Sequence, residues 1–103
     1  MNRYNRITAA EAYEKMKSGS DIIILDVRTA EEFAAGKIPG AILLPDFLVR
    51  ERAEEALPNK NSEILVYCRS GVRSREASYD LADMGYTKVY DFGGINAWPY
   101  ERD

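Results

Sequence analysis

The spacing of hydrophobic positions changes period several times along the 103 residues, and each change marks an element. "ITAAEAYEKMKSG" carries Ala9, Tyr13 and Met16 at helical intervals, which predicts a helix laid along one side of a sheet. Thr8 and Glu11 stand in capping-box spacing at its start, and Gly19 is placed to stop it. "DIIILDV" is a continuous apolar run between polar ends, the pattern of a strand covered on both faces. "TAEEFAAGKIPG" predicts a short helical turn and then a chain reversal at Pro39-Gly40. "AILLP" reads as a short strand ended by Pro45. "DFLVRERAEEALPNK" predicts a helix capped by Asp46 and finished before Pro58. "EILVYC" is a fully apolar strand, and "SREASYDLADMG" a helix closed by Gly85. "KVYDF" is the last strand, followed by "GGINAWPYERD" as a loop or short final helix.

Alternating strands and helices, with strands apolar on both sides, predict an α/β fold: a parallel sheet with helices on both faces. No repeat, linker or low-complexity segment interrupts the pattern, so residues 1–103 are read as a single domain. In such sheets ligands bind beyond the carboxyl ends of the strands. Cys68 falls at such an end, immediately before a helix.

Composition removes several classes of function. Apolar residues make up 46% and charged residues 30%, values ordinary for a globular chain. The net charge of −3 supplies no basic face for a nucleic-acid partner. A lone cysteine cannot form an internal disulfide, "MNRYNRITAA" lacks a secretory apolar region, and no run approaches membrane-spanning length. The expectation is a cytoplasmic protein with no membrane partner. Histidine is absent, which eliminates Cys–His and Ser–His catalysis. A zinc site would have to combine one cysteine with scattered carboxylates, so neither a metal nor a cofactor is implied.

What remains is the stretch "ILVYCRSGVRSREAS". A filler cysteine belongs inside an apolar run, whereas this one stands where the run ends and arginines begin. Between a strand end and a helix start, several backbone N–H groups can converge on one point. The helix terminus adds roughly half a positive charge there. A thiol so placed is stabilised as thiolate, with Arg69, Arg73 and Arg75 available to add positive potential. Gly71 permits the left-handed turn needed to curl a short loop around one atom. The plainer readings are that Cys68 is a small core residue and that Arg73 and Arg75 are solvated residues of a helix's first turn. Arg69 reads either as a substrate contact or as an exposed specificity determinant. Asp26 and Arg28 are expected to brace the loop after their strand. Phe33, Phe92 and Trp98 are read as core or wall aromatics, and the run from Glu51 to Glu55 as a solvated helix face.

Three segments in order resemble the single-domain rhodanese family, the thiosulfate sulfurtransferases. "LDVRTAEEFAAGKIPGAILLP" resembles the family's first motif, "YCRSGVRS" its active-site loop and "GGINAW" its closing Gly-Gly and Trp. The likeness runs from about Ile22 to Trp98; Lys37 departs from it, standing where the family commonly has histidine. The resemblance implies a five-stranded, mainly parallel sheet. It also implies that Cys68 takes a sulfane sulfur, becomes a persulfide and passes the sulfur on, with Arg69, Ser70, Gly71, Val72 and Arg73 as the substrate-binding loop. The partners so implied are a small anionic sulfur donor such as thiosulfate and a thiophilic acceptor such as cyanide or a thiol. Family loops that serve 3-mercaptopyruvate usually carry small neutral residues after the cysteine, so the two arginines here favour thiosulfate.

Phosphatases of the same fold family place five residues between cysteine and a phosphate-gripping arginine. Here four residues separate Cys68 from Arg73, Ser74 occupies the required position, and Arg75 comes one place too late. The leading expectation is therefore a sulfurtransferase. The alternatives are a carrier that passes a persulfide between proteins, which brings in a sulfur-donating or sulfur-accepting protein as partner, and a non-catalytic module that binds an anion or a partner.

Overall fold

The computed structural model describes residues 4–18 and 21–103. Its strands are β1 (Asn5–Arg6), β2 (Ile22–Asp26), β3 (Ile42–Leu43), β4 (Glu63–Cys68) and β5 (Lys88–Gly94). Its helices are α1 (Ala9–Lys17), α2 (Ala30–Ala35), α3 (Val49–Ala56) and α4 (Val72–Asp83), with 3-10 turns at Asp46–Leu48 and Ile95–Ala97. The strands form one parallel sheet in the order β1-β5-β4-β2-β3, the α/β architecture expected.

The apolar runs pack on both faces because alternate side chains point to opposite sides of a strand. Ile64, Val66 and Cys68 of β4 join Leu25, Val27, Ala53, Leu57, Ala77 and Leu81 in the core beneath α3 and α4. Leu65 and Tyr67 face the other way, into a core with Ala12, Ile38, Phe92 and Trp98. On that side Tyr13 of α1 stacks on Tyr100 with ring centroids 3.9 Å apart, and Trp98 meets Tyr100 edge-on at 4.9 Å. Burying β4 on both faces fixes its depth, and the central strand thereby holds Cys68 at a set height above the sheet.

Both early helices begin as their sequences dictate. Thr8 and Glu11 form a full capping box on α1, and Thr29 and Glu32 form a second on α2. Gly85 takes φ +99° just after α4, as expected of a closing glycine. Gly19, expected to stop α1, lies outside the described residues.

Four local expectations shift. Residues 5–6 form β1, too short for any periodicity to reveal; pairing with Tyr90 and Asp91 of β5 makes it a strand. The chain after Pro45 enters a 3-10 turn before α3, and Asp46 makes no side-chain capping bond there. Helix α4 starts at Val72 rather than Ser74, because Gly71 turns the chain at φ +107°. Strand β5 runs on through Gly93 and Gly94, and the "INA" stretch after it becomes the 3-10 turn.

Candidate active site

The loop after β4 is three residues long. Cys68 ends the strand, Arg69 and Ser70 are exposed, and Gly71 delivers the chain into α4. The Gly71 N–H donates to Cys68 Sγ at 3.0 Å. Cys68 is 1% exposed, so the sulfur lies at the floor of the loop rather than on the surface. Unlike α1 and α2, helix α4 has no side-chain cap at its start. The loop thus brings together the thiol, one N–H already on the sulfur and an uncapped helix terminus. That arrangement can hold a negative charge on sulfur and dock a compact anion beside it.

The sheet is shaped to let this loop close. Val66 pairs with Asp91, yet Cys68 pairs with Gly94, so β5 carries one extra residue in a bulge opposite the end of β4. Gly94 passes directly under the loop: a Cβ built there would overlap the Arg69 carbonyl oxygen and lie 2.6 Å from Ser70 Cα. The Asn96 N–H donates to that same Arg69 carbonyl at 3.1 Å. Asp91, fully buried, accepts from Ser74 Oγ at 2.8 Å and from the Gly93 N–H at 2.9 Å, tying the first turn of α4 to β5. Its second oxygen has no hydrogen-bond partner, and Arg6 Nε stands 3.6 Å away.

Arg73 projects from the first turn of α4 to Glu32 of α2, donating from its two terminal nitrogens at 2.7 and 2.9 Å. The guanidinium holds the Glu32 carboxyl down to about 2 against a desolvation that would raise it, with further bonds from Thr29. Arg73 lies in electrostatic reach of both Cys68 and Asp46. Arg69, by contrast, makes no ion pair among the described residues, and neither does Arg75, which is exposed on α4. Of the three arginines, Arg69 follows Cys68 directly in the chain and makes no ion pair among the described residues.

Asp26 and Arg28 brace the loop after β2, as the sequence led us to expect. Arg28 donates from Nε and Nη2 to the Asp26 carboxylate and from Nη2 to the Gly36 carbonyl at 2.6 Å. Tyr67 donates its hydroxyl to Asp26 at 2.6 Å and accepts from the Ile38 N–H. Burial, followed by the bond to Asp26, drives the Tyr67 phenol above its usual range. A cleft of about 420 Å³ opens beside the loop, with Arg28, Glu32, Arg69, Asn96, Arg102 and Asp103 in its wall. Cys68 does not line this cleft; Arg69 stands between them in the chain. Lys37, outside the loop, pairs its backbone with Asp103 and holds its ammonium 5.1 Å over the Phe33 ring.

Sequence reasoning passed over Glu32 and Asp91 as site residues, and it had Gly94 only as part of the closing Gly-Gly motif, without its contact to the loop. Glu32 had a visible signal, since Thr29 and Glu32 repeat the spacing of Thr8 and Glu11. Its pairing with Arg73 spans 41 positions and has no local trace.

A parallel α/β sheet with a cysteine loop at the carboxyl end of its central strand defines a class of fold and site. The family description "Rhodanese-like domain" matches residues 8–101, and the chain belongs to the rhodanese family. A sulfurtransferase of Allochromatium vinosum is 38% identical over 95 residues, covering 91% of this chain and 87% of the relative. The thiosulfate sulfurtransferase PspE of Escherichia coli is 41% identical over 71 residues, 69% of this chain and 68% of the relative. A solved rhodanese-related protein from Thermoplasma volcanium superposes at TM-score 0.84 and 32% identity, over 97% of this chain and 98% of that one. The family resemblance read from the three motifs therefore holds.

Proposed function

We propose that the protein is a thiosulfate sulfurtransferase that works through a persulfide on Cys68, with residues 69–73 as its substrate loop. The observation that carries the reading is the Gly71 N–H on Cys68 Sγ at the uncapped start of α4. The naming of PspE, a relative, as a thiosulfate sulfurtransferase supports the choice of donor. The chain is taken as one catalytic unit acting in the cytoplasm, consistent with the lone cysteine. Among the described residues no helix is long and apolar enough to cross a membrane.

The Cys68 thiolate attacks the outer sulfur of thiosulfate. The S–S bond of the donor breaks, sulfite departs with the bonding pair, and Cys68 carries one additional sulfur. An acceptor nucleophile, cyanide or a thiolate, then attacks that outer sulfur and returns Cys68 as thiolate. The loop N–H groups and the α4 terminus stabilise thiolate, dianion and departing sulfite alike, and Arg69 adds the free charge. Bidentate pairing with Glu32 leaves Arg73 to hold the loop's shape.

Intact mass tests this directly. Thiosulfate adds one sulfur to the wild type and cyanide removes it, while Cys68→Ser takes up none. A wild-type mass unchanged by thiosulfate and by other sulfane donors overturns the proposal.

A further inference from the structure

The layer between α4 and the sheet is built mainly from apolar side chains, with Val66 of β4 and Val89 of β5 beneath Ala77 and Leu81 of the helix. Asp91 interrupts it. Two positions beyond Val89 on the same strand, its side chain points to the same side of the sheet and is fully buried. A carboxylate there is costly, because one of its oxygens has no hydrogen-bond partner. Arg6, the cation it pairs with, stands 3.6 Å away with its side chain 65% exposed. Packing alone calls for another apolar residue at this position, so Asp91 supplies something that packing does not.

What it supplies is a bond to each side of the nucleophile loop. Asp91 Oδ1 accepts from Ser74 Oγ in the first turn of α4 at 2.8 Å and from the Gly93 N–H in the bulging stretch of β5 at 2.9 Å. The Ser74 hydroxyl has one proton, and the Gly71 and Gly93 carbonyls also stand near it, at 3.2 and 3.4 Å. The carboxylate is the nearest of the three and the charged one, so it takes the proton. The two segments joined in this way close on Cys68. A Cβ built on Gly71 would lie 3.6 Å from Gly93 Cα, and the Gly71 N–H is the donor on Cys68 Sγ at 3.0 Å. Gly94, next in β5, passes under Arg69 and Ser70. Helix α4 has no side-chain cap, so its own first residues do not fix where it starts. Arg73 steadies that turn from the α2 side through Glu32, and Asp91 does so from the β5 side.

We propose that Asp91 is a positioning residue for sulfur transfer: its Oδ1 clamps the start of α4 to the bulge of β5 and thereby keeps the Gly71 N–H trained on Cys68 Sγ. The proposal rests on the persulfide reading of Cys68. Asp91 acts through Ser74 and Gly93 and makes no hydrogen bond to the sulfur itself. In the uptake step the donor S–S bond breaks and sulfite leaves with the bonding pair, while the clamp contributes geometry and no proton. A misplacement of about 1 Å at reacting atoms costs as much as a hundredfold in rate, so a clamp remote from the substrate decides how fast the thiolate attacks.

The test follows single-turnover sulfur uptake from thiosulfate by intact mass, with the full chain and at a temperature where circular dichroism shows each variant folded. Asp91→Ala and Ser74→Ala should each slow uptake about tenfold or more, and Asp91→Asn, whose amide oxygen accepts both bonds, should stay within about threefold of the wild type. Arg6→Gln leaves the bonds to Ser74 and Gly93 in place, so it should lower the Tm and keep the wild-type rate. That variant separates a clamp from a general loss of stability. Should Asp91→Ala fail to fold, Ser74→Ala and Asp91→Asn decide the matter between them. Wild-type rates in the folded alanine variants overturn the proposal, and so does an Asp91→Asn protein as slow as Ser74→Ala. Uptake that falls in Arg6→Gln as far as in Ser74→Ala does the same, since the rate then follows stability alone. A wild type that takes up no sulfur from any sulfane donor sinks the persulfide reading instead, whereas normal uptake that is indifferent to Ser74 and Asp91 sinks only the clamp.

Discussion

The two terminal nitrogens of Arg73 grip the two carboxylate oxygens of Glu32 at 2.7 and 2.9 Å, joining the first turn of α4 to the first turn of α2. The charge that the sequence offers as a substrate contact is thereby already spent. Half-buried bidentate pairs of this kind are stronger than exposed ion pairs and specify geometry as well.

This pair gives the protein a defined acid sensitivity. The folded carboxyl of Glu32 sits near 2, against an ordinary 4.5. A depressed carboxyl contributes stability above its unfolded pKa and loses it as pH falls through the folded one. Thermal unfolding of the wild type and Glu32→Gln should therefore differ most above pH 5, and the two Tm curves should converge as pH approaches 2. Parallel curves across that window would contradict the assignment.

Arg69 and Arg73 should separate kinetically. Arg69→Ala removes the free cation, so kcat/KM for thiosulfate should fall about tenfold, with a smaller loss for 3-mercaptopyruvate, which carries one carboxylate. Added salt should imitate that selectivity in the wild type, because screening weakens the dianion most. Arg73→Ala should lower both donors together, since its charge serves the loop rather than the donor. Steady-state assays with both donors decide it, and the wild type should favour thiosulfate.

Cys68→Ser should retain the wild-type fold and lose all transfer. The change in volume is small and the residue lies at a strand end, so circular dichroism and Tm should move little while turnover and sulfur uptake vanish. In the wild type, double-reciprocal plots at varied acceptor should be parallel, the mark of two successive covalent steps.

Gly94→Ala should damage stability and activity at once. The added methyl meets backbone, the Arg69 carbonyl and Ser70 Cα, which cannot swing aside as a side chain could. The strain should cost about 1–3 kcal/mol and displace the loop. Denaturant unfolding and the rate of sulfur uptake should both register it.

Tyr67→Phe tests the brace beneath the site. It removes the donor to Asp26 and the acceptor for the Ile38 N–H in a fully buried position. Arg28 still holds the Asp26 carboxylate, but the buried Ile38 N–H is left without its acceptor, which should cost about 1–3 kcal/mol in chemical denaturation, with the loop chemistry largely kept.

The strands β2 and β4, the helices α1 and α4, and the loop between Cys68 and α4 were legible in the chain. Each depends on local features: unbroken apolar runs, a Thr-to-Glu cap, and a glycine at the required turn. Even the family was readable, because its three motifs are contiguous. The tertiary structure alone decided which groups meet. β1 exists only because β5 lies beside Asn5 and Arg6. The partner of Arg73 comes from α2, and the necessity of Gly94 comes from a loop that begins at Cys68. Local chemistry is written in the spacing of neighbours, whereas the assignment of a charge to a substrate or to a strut depends on what folding brings within about 3 Å of it.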